Sequence, residues 1–224
     1  VIDLAAVWDA HPKESYRRDI SHWRGHGRWT DSEWRAIGTR TIAALREAGV
    51  TLLDGDRHTF LEWGPGGGAN AVALMPWAKR YIGVDISHRN LAEALRQAGG
   101  VFHPVLIGSA PRVHDVAPKA DVFLSTAVFQ HFPSDAYAEL VLREIHRLTM
   151  PGARGVIQVR LHDDTGRFGR MALDGADYYR DHICAWATTE GSFRRMCLDT
   201  GFIVRAVFDR DPAVSYATFG ILRP

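Results

Sequence analysis

The stretch Leu61-Glu62-Trp63-Gly64-Pro65-Gly66-Gly67-Gly68-Ala69 decides the fold. It runs from an apolar strand, Thr59–Trp63, through a glycine-rich loop into the start of a helix. Glycines let the backbone turn tightly and let a ligand approach the main chain. The helix N-terminus behind them adds a weak positive pole. The next strand, Tyr81–Asp85, ends on a carboxylate that can accept hydrogen bonds from both hydroxyls of a ribose. Strand, loop, helix and acid in this order read as a nucleotide-type binding site. A glycine turn that simply packs is the plain alternative.

Working outward, strands alternate with helices. The spacing predicts a helix over Ala69–Lys79, a second over Asn90–Ala98 capped by Ser87, and a strand over Val101–Ile107. Pro104 inside that strand argues for the edge of the sheet. Asp121–Ser125 reads as the fourth strand. Ser134 caps a long amphipathic helix ending at Leu148, and Pro151-Gly152 lead into a fifth strand, Gly155–Leu161. Thr189 caps Glu190–Thr200, and Phe202–Asp209 and Ser215–Leu222 close the chain as a hairpin. The expectation is an α/β, Rossmann-like sheet of seven strands, mostly parallel, with a terminal antiparallel hairpin and helices on both faces. Upstream, Thr30 and Glu33 form a capping box for a helix carrying Trp34, Ile37, Ile42 and Leu45, with Gly49 as its stop. The first 30 residues have little helical periodicity and hold Trp8, Trp23 and Trp29 among His11, His22, His26 and several arginines. Residues 1–50 therefore read as an N-terminal arm and helix acting as a lid. Residues 51–224 read as the binding domain, with an insertion near 165–188.

Composition narrows the classes. The 224 residues suit one domain with an appendage, and 46% hydrophobic with 24% charged residues is ordinary for a globular protein. Net charge is +1 with no run of five like charges, which argues against nucleic acid as a partner. No apolar run reaches 18 residues, so no membrane span is expected. Val1–Ala10 does not read as a signal peptide, and the chain does not begin with Met, which leaves upstream residues open. Cys184 and Cys197 make neither a disulfide framework nor a zinc site, and a reducing cytoplasm is the expected compartment.

Two ligand classes fit the loop. Gly64 to Ala69 matches the dinucleotide pattern G-x-G-x-x-A. Glu62-x-Gly64-x-Gly66-x-Gly68 resembles the first motif of class I S-adenosylmethionine (SAM)-dependent methyltransferases. The acid two positions before the first glycine, the lack of a separate substrate domain and the terminal hairpin favour the second. So do Asp121–Ser125, Phe129-Gln130-His131-Phe132 and Arg147–Gly152, which resemble that family throughout. The resemblance implies that Glu62, Gly64, Pro65, Gly66 and Gly68 surround the amino-acid part of SAM. It further implies that Asp85 holds the ribose, Ile86 lies on the adenine and Ser125 lies near the methionine end. Ser109 stands where the family often places an acid for the adenine amino group. The arm, His22-Trp23-Arg24 through Gly27-Arg28-Trp29, looks like that of actinobacterial methyltransferases of natural-product and polysaccharide pathways.

Methyl transfer to oxygen needs a proton removed. His131 follows the fourth strand at the carboxyl edge, where α/β sheets bind ligands, and reads as general base or as a structural turn histidine. His162-Asp163-Asp164 follows the fifth strand on the same edge. It reads three ways: a Mg²⁺ site at Asp163 and Asp164, a base with Asp163 as its orienting acid, or a solvated loop. Trp29, Tyr178 and Tyr179, together with His182 and Trp186, wall the acceptor or pack the underside of a lid. The reading is a SAM-dependent O-methyltransferase for a small hydroxylated acceptor, foremost a sugar or glycoside, with a homodimer as the oligomer to test for. N- or C-methylation, a non-catalytic SAM-binding protein and a nicotinamide oxidoreductase are the alternatives.

Overall fold

A computed structural model describes residues 3–9, 14–114, 118–162, 186–211 and 216–224. The chain order is α1 (Leu4–Asp9), α2 (Glu14–Ile20), α3 (Asp31–Glu47), β1 (His58–Trp63), α4 (Ala69–Leu74), β2 (Ala78–Asp85), α5 (His88–Ala98) and β3 (Phe102–Leu106). It continues with β4 (Ala120–Ser125), α6 (Asp135–Leu148), β5 (Thr149–Arg160), α7 (Glu190–Asp199), β6 (Ile203–Asp211) and β7 (Tyr216–Leu222). The seven strands form one sheet in the order β3-β2-β1-β4-β5-β7-β6. β7 runs antiparallel to both β5 and β6, and the other pairs are parallel. β3, which carries Pro104, lies at the edge as its missing N–H requires.

Parallel strands buried on both faces need helices on both. On one face Leu45 of α3, Leu74 of α4 and Leu91 of α5 pack with Phe60, Tyr81 and Phe102. On the other, Val141, Leu142 and Ile145 of α6 and Phe193 of α7 pack with Leu61, Ile82, Phe123 and Phe219. Alternation along β1 thus sends Phe60 to one core and Leu61 to the other. Strand order reverses between β1 and β4, so their carboxyl ends part and leave a crevice there. No helix among the described residues is long and apolar enough to cross a membrane.

Three local readings are corrected. The helix expected over 69–79 stops at Leu74, passes through a 3-10 turn at Met75–Trp77 and becomes β2 at Ala78. Pro76 lacks the N–H that would continue the α ladder. β5 begins at Thr149, before the expected Pro-Gly break, because Gly152 N–H donates to the Arg223 carbonyl and Arg223 N–H to that of Ala153. The arm contains two short helices, α1 and α2, where little helical character was expected. Its stability comes from docking, since helices of six and seven residues are marginal alone.

Candidate active site at the glycine loop

The crevice opens into a cavity. The glycine loop, the ends of β2 and β4 and the N-terminal arm line it. From the core side come Glu62, Trp63, Gly64, Pro65, Gly66, Ala69, Asn70, Asp85, Ile86, Thr126 and His131, and from the arm Leu4, Trp8, Ile20, Ser21 and His22.

Glu62 is buried at the end of β1. Asn70 Nδ2 and the Tyr81 hydroxyl donate to its two oxygens, each at 2.6 Å. Burial pushes the Glu62 carboxyl up to about 7, against the two hydrogen bonds, with the Asp85 charge adding to the rise. The same burial, with the Glu62 charge beside it, holds the Tyr81 phenol well above its ordinary value, so it stays a donor. Asp85 accepts from Ser87 N–H at 2.8 Å. Burial raises it to about 6, against hydrogen bonds from the backbone of Ser87, Gly66 and Ile86 and from Asn90. Two costly carboxyls facing one cavity fit a ligand that brings hydroxyls and positive charge. Beside them Ile86, Ile107, Leu4, Phe132 and Tyr137 make an apolar wall suited to a flat base. These residues fit a SAM-type cofactor.

The glycine loop serves the arm as much as the cavity. Gly67 N–H donates to the Ser21 carbonyl at 2.7 Å. A Cβ at Gly66 would strike that same carbonyl, and one at Gly67 would sit 2.5 Å from the His22 carbonyl. The arm is fastened elsewhere too. Trp23 Nε1 donates to Asn90 at 3.0 Å, the Ser87 hydroxyl to Asp9 at 2.7 Å and Trp34 Nε1 to the His22 carbonyl at 2.8 Å. His22 lines the cavity, and its ring stands edge-on to Trp29 at 4.5 Å between centroids. His131 sits in a 3-10 turn after β4, is 7% exposed and meets the Trp8 ring edge-on at 4.9 Å.

Several expected residues lie elsewhere. Ser125 is fully buried, with its hydroxyl donating to the Trp63 carbonyl at 2.9 Å, and the cavity wall falls to its neighbour Thr126. Ser109 donates to Asp3 of the arm at 2.8 Å, a bond that holds the Asp3 carboxyl below its usual range, and is not in the lining. Gly68 opens α4 where a Cβ would meet Ala94 of α5 at 2.9 Å, again outside the lining. Trp29 packs with Trp34, Ile37 and Ala69 in a satellite core and donates to the Asp19 carbonyl rather than walling the cavity. His162 pairs through its backbone with Thr188 at 3.0 Å and does not line the cavity. Trp186 is core, donating to Asp135 at 2.7 Å. Asp163, Asp164, Tyr178, Tyr179 and His182 lie outside the described residues, and so does the expected Mg²⁺ site. Among the described residues no three metal-ligating side chains cluster. Sequence reasoning missed Tyr81, Asn70 and Thr126. Asn70 alone left a signal, a polar side chain in the first turn of the helix that the loop opens.

Residues 61–157 match the model of a methyltransferase domain. No protein of curated function matches the chain. Among solved structures the chain is similar to magnesium protoporphyrin IX methyltransferase from Synechocystis PCC 6803 with bound S-adenosylhomocysteine (SAH). Identity there is 14% over 99% of this chain and 98% of the other, with a TM-score of 0.68. It is similar to the N-methyltransferase NodS from Bradyrhizobium japonicum WM9 in complex with SAH (13%, 94% and 98%, TM-score 0.65). It is also similar to a Haloferax volcanii structure of a methyltransferase with its activator (14%, 100% and 99%, TM-score 0.63). At such identities the likeness is one of fold. Residues 61–157 thus carry a methyltransferase domain, set in the seven-stranded fold of the class I SAM-dependent methyltransferases.

Proposed function

We propose that the chain methylates a hydroxyl of a small polar acceptor, foremost a sugar or glycoside, in the cytoplasm. The observation that carries this reading is His131, a nearly buried imidazole on the wall of the same cavity as Glu62 and Asp85. When bound, SAM supplies a sulfonium methyl carbon to an acceptor oxygen that loses its proton, while sulfur keeps the bonding pair. His131 takes that proton. Asp85 holds the ribose hydroxyls, Ile86 covers the base, and Glu62 with Asn70 faces the amino-acid end. Trp8 closes the cavity over His131.

Calorimetric titration with SAH, and in parallel with NADH, is the opening test. Micromolar binding of SAH alone is expected, and NADH binding alone overturns the reading. Acceptors are then screened with labelled SAM, sugars first. His131→Ala is expected to keep SAH affinity and to lose turnover by about 10²–10⁴-fold. Unchanged turnover removes His131 and favours an acceptor that needs no base, such as a neutral amine. Since the proton goes to a side chain, EDTA is expected to leave turnover unchanged. Loss with EDTA and recovery with Mg²⁺ moves that role to Asp163 and Asp164.

A further inference from the structure

The arm brings a second histidine to the cavity, and its backbone shows that the histidine is there at a cost. His22 has φ +58, a left-handed conformation that strains the backbone of a side-chain-bearing residue. Elsewhere in the same arm left-handed positions go to glycine, at Gly25 (φ 75) and Gly27 (φ 55). Backbone geometry alone would favour Gly at position 22. Three non-glycine residues take positive φ among those described, and two of them, His22 and Ala127, line this cavity. Strain of this kind gathers at functional sites. The ring is also aimed. Trp34 pins the His22 carbonyl at 2.8 Å, and Trp29 packs edge-on against the imidazole at 4.5 Å. The His22 carbonyl lies over Gly67, just before α4, whose Asn70 bonds Glu62 and Thr126. That puts His22 on the glycine-loop side of the cavity, which it lines together with Asn70, Thr126 and His131.

We propose that His22 is an acceptor-binding residue of the reaction centre: the arm carries its imidazole to the wall shared with Thr126 and His131, where it holds the acceptor's nucleophilic atom against the transferable methyl group. The inference rests on the SAM-site reading above. Burial, then the charges of Arg28, His131 and Arg40, push His22 down to about 4. The imidazole is therefore uncharged at neutral pH. It adds no positive charge beside a sulfonium, and it offers both a ring nitrogen lone pair and an N–H. A base with so low a pKa is weak, which leaves proton removal to His131 and gives His22 the orienting role.

The test uses two cofactor analogues that differ at the reacting atom. Sinefungin carries an amine where the methyl group stands, and SAH carries nothing there. Both are titrated calorimetrically into the full chain and into His22→Gly, which relieves the backbone and removes only the ring. Sinefungin affinity is expected to fall about tenfold or more in His22→Gly, with SAH affinity within about threefold of the parent. His22→Asn keeps the backbone conformation and a hydrogen-bonding group, and is expected to restore part of the sinefungin affinity. Equal losses for both ligands overturn the proposal, because His22 then only shapes the arm. No loss for either overturns it too. Failure of the parent chain to bind SAH at all overturns the cofactor reading first, and this inference with it.

Discussion

Glu62 and Asp85 are carboxyls whose ionisation the fold makes expensive. Both have folded pKa values above their ordinary ones, Glu62 at about 7 and Asp85 at about 6, with burial as the leading cause. A raised carboxyl contributes stability that is fully present below its unfolded pKa, near 4, and lost as pH rises through the folded value. Without cofactor, the Glu62 and Asp85 contributions are therefore expected to fall away between pH 4 and pH 7. Glu62→Gln removes one of them, so its melting temperature should gain on that of the parent by a few degrees at pH 8 and not at pH 5. Thermal melts across pH check this, and a gain that does not grow with pH contradicts it. SAH should shift the melting temperature more at pH 8 than at pH 5.5, because its ammonium meets an ionised Glu62. His22 works in the opposite sense: its folded pKa is lowered, so its contribution is present above about pH 6.5 and lost as pH falls through about 4. Glu62 and Asp85 were legible in sequence because they sit at fixed offsets from the glycines. Tyr81 was not, since it reaches Glu62 only after β1 and β2 pair in register, Phe60 beside Tyr81.

At the scale of elements, the arm and the glycine loop are made for each other. Gly67 has an ordinary backbone, so the only obstacle to Ala there is the arm, whose His22 carbonyl would lie 2.5 Å from the new Cβ. Gly67→Ala is expected to loosen the arm and leave the sheet intact. Limited proteolysis should cut faster within residues 1–30, SAH affinity should fall by about tenfold, and the far-ultraviolet circular dichroism should hold. Unchanged proteolysis contradicts arm docking at this loop. α3 belongs with the core despite its place next to the arm in sequence, for its Leu45 lies in the sheet-facing cluster and its Gly38 lies where a side chain would meet Ala69 and Ala73 of α4. The arm's helices escaped periodicity because they are six and seven residues long, too short for an apolar stripe to repeat.

For the whole molecule, the sheet order sets where chemistry happens. β1 and β4 are neighbours in space yet separated by β2 and β3 in sequence, and the crevice at their carboxyl ends, with the end of β2 at Asp85 beside it, forms the core side of the cavity. β4 lies at the centre of the sheet, with Phe123 fully buried against Phe202. Phe123→Ala should destabilise the fold by about 3–5 kcal/mol, measured by urea denaturation. A loss under about 1 kcal/mol would contradict so tight a core.

The sequence by itself determined the alternation of strands and helices, the edge position of the Pro104 strand, the terminal hairpin and the loop-plus-acid signature. Each of these depends on local spacing, on backbone limits of Gly and Pro, or on side-chain periodicity. Only the tertiary structure decided that Ser125 and Ser109 turn to Trp63 and Asp3, that Thr126 takes the cavity wall, and that His22 and Trp8 join His131. Those outcomes depend on which distant segment arrives at each polar atom. No local rule contains that information, since a hydroxyl bonds whichever carbonyl or carboxylate the packed chain places within reach.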